Sequence, residues 1–120
     1  MMHNAITVMT VKDLAQSLAY YRDTLGFQIA FQYGEPAFYA GVFSGKVQLH
    51  LIAANRTTRQ AGNGAVAIIV DDVDALHDEL QNRGARVVKA PANQPYGLRD
   101  FDVADLDGNM LFFGMETPKS

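Results

Sequence analysis

Three histidines, thirteen carboxylates and no cysteine set the range of chemistry open to this chain. Without thiolates there are no disulfides and no sulfur-ligated metal sites. His3 lies by the terminus and reads as solvated. His77 falls on a predicted helix, between its apolar stripe and its polar face, where a surface histidine is ordinary. His50 is different. It sits in the strand-like run Val47 to Ile52, where Val47, Leu49 and Leu51 take one face and Gln48, His50 and Ile52 the other. It reads either as a hydrogen-bonded, partly buried histidine or as a ligand contact or acid/base group titrating near neutrality. Arg99 and Asp100 form a charged pair, either solvated at a strand end or making a polar contact.

Aromatic residues are the other candidates. Phe31, Tyr33, Phe38, Tyr39, Phe43, Tyr96, Phe101, Phe112 and Phe113 all lie on or beside predicted strands. Parity assigns Phe101 and Phe113 to core packing against helices. Ile6, Met110 and Phe112 have the opposite parity and are expected on the other face. Apolar groups on a concave surface suit a pocket for a planar or apolar molecule.

The elements that must position these residues are legible in order. Ala5 to Val11 reads as a strand. Asp13 caps a helix with Gln16 three residues on; Leu14, Leu18, Tyr21 and Leu25 recur at helical spacing, and Gly26 stops it. Gln28–Tyr33, Phe38–Phe43 and Val47–Ile52 read as strands. The polar run Ala54 to Gly64 is the one internal boundary. Beyond it come a strand over Ala65–Val70, a helix capped at Asp71-Asp72 and stopped by Gly84, and a strand over Ala85–Lys89. A loop over Pro91–Gly97 follows, then a hairpin built on PYGLRDFDVADLDGNMLFFG, with Asp107-Gly108-Asn109 as a tight turn. A shift of 59 residues places Val11 on Val70 and Asp13 on Asp72, so the order strand, helix, three strands occurs twice, over about 1–56 and 62–120.

Composition bounds the rest. The 120 residues are one domain's length, 48% hydrophobic and 19% charged, which suits a globular chain with a real core. A net charge of −3 gives no electrostatic case for nucleic acid. No apolar run of roughly 18 residues exists, and Met1-Met2-His3-Asn4 does not open a signal peptide. A cytoplasmic protein without membrane partners is expected.

Tandem βαβββ units, with VKDLAQSLAYYRDTLGF (Val11–Phe27) leading one and DDVDALHDELQNRGA (Asp71–Ala85) the other, resemble the vicinal oxygen chelate superfamily of glyoxalases, dioxygenases and bleomycin-resistance proteins. Pro-Tyr-Gly-x-Arg-x-Phe followed by Asp-Gly-Asn and Phe-Gly is most similar to the bleomycin-resistance branch. Leu106 departs from the proline often found between the two aspartates. The resemblance implies an α+β fold: an open eight-stranded mixed sheet around a cleft, helices on the convex face, commonly paired into a dimer. It implies metal-ligand positions at Ile6, Ala65 and Phe112, with His50 as the remaining one. A single imidazole among those residues cannot hold a catalytic ion. It also places Tyr96 where the bleomycin-resistance proteins carry a ligand-stacking aromatic. The expected function is metal-independent binding of a small planar or apolar molecule by a homodimer, with no cofactor, through Tyr96, Phe112, His50, Ile6, Met110 and Arg99. Antibiotic sequestration is what the branch implies. The alternatives are a lyase or dioxygenase with a non-standard metal site and a dimeric scaffold with a vestigial cleft.

Overall fold

Alternation of apolar and polar residues decides which face of each strand is buried, and the computed structural model, which describes residues 1–117, follows it closely. The first unit comprises β1 (Thr7–Val11), α1 (Leu14–Ala19), β2 (Gln28–Gly34), β3 (Ala37–Ser44) and β4 (Val47–Ala53). The second comprises β5 (Ala65–Ile69), α2 (Val73–Asn82), β6 (Arg86–Asn93), β7 (Leu98–Ala104) and β8 (Met110–Glu116). The strand orders are β1-β4-β3-β2 and β5-β8-β7-β6, so the two units share one topology. In each, the first strand pairs parallel to the last and the other pairs are antiparallel.

The expected eight-stranded sheet is therefore two open four-stranded sheets. β1 and β5 lie side by side, but each spends its ladder hydrogen bonds on its own unit. Helix α1 packs on β3 and β4, and α2 on β6, β7 and β8. Both helices cover the face that carries Leu49 and Leu51 in one unit and Phe101 and Phe113 in the other, all buried. Phe101 and Phe113 stack with ring centroids 5.2 Å apart, and the His77 ring meets Phe101 edge-on at 5.4 Å. His77 thus closes over the core, and is less solvated than a helix-surface position implies.

Asp13 and Asp72 cap the helices, each accepting the backbone N–H three residues on, at 3.0 Å. Helix α1 is shorter than its apolar spacing predicts. It gives way to a π-helical stretch over Tyr20–Thr24, with Leu25 N–H donating to Tyr20 O at 3.0 Å. This inserted turn brings consecutive tyrosines, Tyr20 and Tyr21, into the interior together. β6 likewise runs on through Pro91, which the sequence assigns to a loop. It is an edge strand with irregular register, where a missing N–H costs no ladder bond.

The connection from β7 to β8 is the largest departure. Asp105 to Asn109 form a five-residue loop in place of the expected two-residue turn. Its side chains turn inward. The Asp105 carboxylate, fully buried, accepts Tyr21 Oη at 2.8 Å, Asn109 Nδ2 at 2.9 Å, and the backbone N–H groups of Asp107 and Asn109, both at 2.9 Å. Asn109, also fully buried, donates to Thr10 O at 3.0 Å and accepts Gly64 N–H at 2.7 Å. Tyr20 Oη donates to Ala104 O at 2.8 Å and accepts Arg86 N–H at 3.0 Å. These bonds tie the π-helical stretch and β1 of the first unit to β6 and the hairpin of the second.

Replacing Asp105 by Ala strands a phenol, a side-chain amide and two backbone N–H groups away from water. Each buried group left unpaired costs about 1–3 kcal/mol. Urea unfolding of Asp105→Ala is expected to show a loss of at least about 3 kcal/mol. A loss under about 1 kcal/mol would mean that the two units are held by apolar packing alone.

Candidate functional site

The helix-free face of the second sheet carries a concave site built from two rows of side chains. Cα register aligns Ala67 of β5, Phe112 of β8 and Asp102 of β7, with Lys89 of β6 beyond them. The next row aligns Ile69, Gly114 and Asp100. Small residues at Ala67 and Gly114 leave room on either side of the Phe112 ring. The result is an open cavity of about 350 Å³, lined also by Leu98 and Tyr96. Its floor is apolar and its β6–β7 side is polar.

Tyr96, 66% exposed, stands at the rim, and its hydroxyl donates to Asp100 Oδ2 at 2.9 Å. Asp100 also accepts Gln94 Nε2 at 3.0 Å and Lys89 Nζ at 3.2 Å on its other oxygen. The buried carboxylate thus orients an aromatic ring that would otherwise swing freely on its loop. Burial pushes the Asp100 carboxyl up, but the donors Tyr96, Gln94 and Lys89 outweigh it and hold the group below the usual carboxylate range. Asp102 is shifted the other way. Burial raises it and Asp100 adds to the rise, against an opposing pull from Lys89. The hydrogen bond to Asp100 raises the Tyr96 phenol and the Lys89 ammonium in turn.

Of the residues expected to bind a ligand, the structure brings Tyr96 and Phe112 together in this cavity. Met110 shares the face of Phe112 but lies one row further along, opposite Ala65 and Ala104. Ile6 precedes β1, half-buried and outside the cavity lining. Arg99 points to the opposite face: its guanidinium makes two hydrogen bonds to Asp74 of α2, at 2.9 and 2.8 Å, and a third to Asn93 at 3.1 Å. The alternation that buries Phe101 against α2 also sends Arg99 to that side. His50 lies on the first sheet. Its Nδ1 and Tyr39 Oη form a 2.8 Å hydrogen bond, and the Phe31 and Tyr39 rings meet the imidazole edge-on, each at 5.3 Å.

Of the two readings open for Asp100, the polar contact is the one seen, whereas sequence reasoning missed Asp102, Lys89 and Gln94 as members of the site. The parity of Phe101 was enough to place both aspartates on the cavity face. Lys89 lies within the expected strand, but nothing in the sequence signals the placement of Gln94, because β6 extends past its expected end.

A family model described as the Glyoxalase/Bleomycin resistance protein/Dioxygenase superfamily matches residues 4–113. The chain belongs to that superfamily. It is 32% identical over 108 residues to an uncharacterized protein of Mycolicibacterium smegmatis, covering 90% of this chain and 89% of that one. Among solved structures, it is similar to the bleomycin-binding protein of Streptomyces verticillus, determined with copper(II)-bleomycin. There the TM-score is 0.79 at 29% identity, over 98% of each chain. It is also similar to TnmS3, an antibiotic binding protein of a Streptomyces species. That match has a TM-score of 0.78 at 26% identity, covering 98% of this chain and 99% of that one.

The positions that resemblance assigns to metal ligands do not fit an ion. Ile6, Ala65 and Phe112 offer no side-chain donor atom, which leaves the single imidazole of His50. Among the described residues no three His, Cys, Asp or Glu side chains group closely enough to hold a metal. Nor is any described helix long and apolar enough to cross a membrane.

The opposed shifts of the two aspartates give a pH signature. Asp100 titrates below its unfolded value, so its stabilisation is present above about pH 4 and is lost as pH falls through the folded pKa. Asp102 titrates above its unfolded value, so its ionisation costs stability, and that cost is complete once pH has risen past the folded pKa. Carboxyl-carbon NMR titration is expected to find Asp100 below about 3.9 and Asp102 above it. Asp102→Asn should then raise the melting temperature at neutral pH. The reverse order of titration would show that Tyr96 is not held by Asp100.

Proposed function

We propose that this chain binds a small planar, largely apolar molecule, without a metal, on the helix-free sheet faces of a homodimer. The observation that carries this reading is the cavity between Phe112 and Tyr96. Its volume of about 350 Å³ falls within the ordinary range for small-molecule sites, and its apolar floor is edged by a few fixed polar groups. A tyrosine ring presented to solvent and held by its hydroxyl is pre-ordered for stacking, so little side-chain freedom is lost when a ligand arrives. That two similar structures are named as bleomycin-binding and antibiotic binding proteins supports the same reading, and with it sequestration as the biological role. An enzymatic reading, a lyase or dioxygenase with a relocated metal, rests on the Tyr39–His50 pair alone.

What the monomer leaves uncovered supports the homodimer. Phe31, Tyr33, Val8, Ile69 and Phe112 are all exposed, and they lie on strands of both sheets. Exposed apolar groups in that number mark an interface or ligand surface, and two-fold pairing is the commonest way to cover one. Sedimentation equilibrium at micromolar concentration is expected to give twice the 13.2 kDa chain mass. A purely monomeric species would overturn this part of the reading.

Binding itself is tested by a thermal-shift screen of aromatic natural products and drugs, with titration of hits. Tyr96→Ala should cost about 1–2 kcal/mol, roughly 5- to 30-fold in affinity. Phe112→Glu should weaken binding as well, because its carboxylate enters an apolar wall without a partner. Hits that bind both variants as tightly as the parent would place the site elsewhere.

A further inference from the structure

The cavity carries one more negative charge than its own residues satisfy. Two carboxylates, Asp100 and Asp102, and one ammonium, Lys89, line it. Asp100 takes all three of the neighbouring donors, from Tyr96, Gln94 and Lys89. Asp102 lies two residues along β7 on the same face, in register with Phe112 on one side and Lys89 on the other. Lys89 Nζ makes its hydrogen bond to Asp100, and no donor among the described residues reaches the Asp102 carboxylate. Asp102 is partly withdrawn from water beside the Phe112 ring. A carboxylate in that position gains most from a donor that arrives with the ligand, and a charged donor gives the stronger bond.

We infer that the cavity selects planar ligands bearing a cationic nitrogen, with Asp102 accepting its N–H while Tyr96 and Phe112 hold the ring system. This rests on the cavity being the binding site, as proposed above. Asp102 is the specificity-determining residue, and the aromatic pair supplies affinity that is blind to charge. Three features of the cavity agree on this division. The apolar floor takes a ring face. The Asp100 cluster is already satisfied and neutral overall with Lys89. The free acceptor is placed beside the ring, where a substituent of a bound planar molecule would project.

Two fluorescent three-ring dyes separate charge from shape: proflavine, which is protonated at neutral pH, and acridone, which is neutral. Titration of the parent is expected to show proflavine bound at least about tenfold more tightly than acridone, the range a charge-assisted hydrogen bond gives. Asp102→Asn should bring the two within about twofold, by weakening proflavine and leaving acridone unchanged. Asp102→Glu, which keeps the charge, should retain most of the preference. Added salt should weaken proflavine and spare acridone. Equal affinities in the parent, or a preference that survives Asp102→Asn, would overturn the inference. Tyr96→Ala tells the two levels apart. If acridone binds and depends on Tyr96 while proflavine gains nothing, the charge preference alone fails. If neither dye binds the parent, or Tyr96→Ala leaves both unaffected, the cavity itself is misassigned and both readings fall.

Discussion

The buried Asp105 carboxylate is the constraint on which the rest of this structure depends. It has no contact with solvent and accepts four hydrogen bonds, one of them from Tyr21 across the boundary between the two units. A buried acceptor of this kind is costly unless every lone pair is used. Here each is used, and the partners are spread over the first helix and the hairpin loop. Apolar packing alone would let two similar layers slide over one another. A satisfied polar network admits one arrangement, because any shift leaves several groups unpaired.

That fixed loop sets the register of β7 against β8, and register sets the cavity. Asp102 faces Phe112, and Asp100 faces Gly114, because Asp105 to Asn109 close the hairpin at one length. A one-residue slip of β7 would turn Asp100 and Asp102 to the helix face. Nearby glycines are part of the same fit. Gly62, at φ +90°, runs so close to Asp107 that a Cβ there would overlap its carbonyl oxygen. The loop before β5 can therefore pass the hairpin only without a side chain. Stability and site geometry thus share one set of residues, at some distance from the surface a ligand meets.

The two aspartates of the cavity show how one strand face can hold opposite electrostatic environments. Three donors surround Asp100, so its charge is structural and fixes Tyr96. Asp102 keeps its charge exposed to whatever enters. The difference comes from β6: its Lys89 reaches Asp100, and its run through Pro91 carries the Gln94–Gly97 loop to the same carboxylate. An edge strand ended by its proline would have left Asp100 with Lys89 as its one donor from this side.

Periodicity and punctuation determined the elements. The doubled order of strand, helix and three strands, the Asp13 and Asp72 caps, the stops at Gly26 and Gly84, and the burial of Leu49, Leu51, Phe101 and Phe113 are all local properties of the chain. Side-chain types equally showed that Ile6, Ala65 and Phe112, where the family resemblance implies metal ligands, carry no side-chain donor atom. Tertiary structure decided what no local pattern encodes. It split the strands into two sheets, because hydrogen-bond partners are chosen across the chain. It brought Asp74 to meet Arg99 and set His50 on the sheet without the Phe112–Tyr96 cavity, since both depend on which elements meet. It gave Asp105 and Asn109 their buried roles, because a polar side chain enters the interior only where distant groups, here Tyr21 and the Thr10 carbonyl, come to meet it.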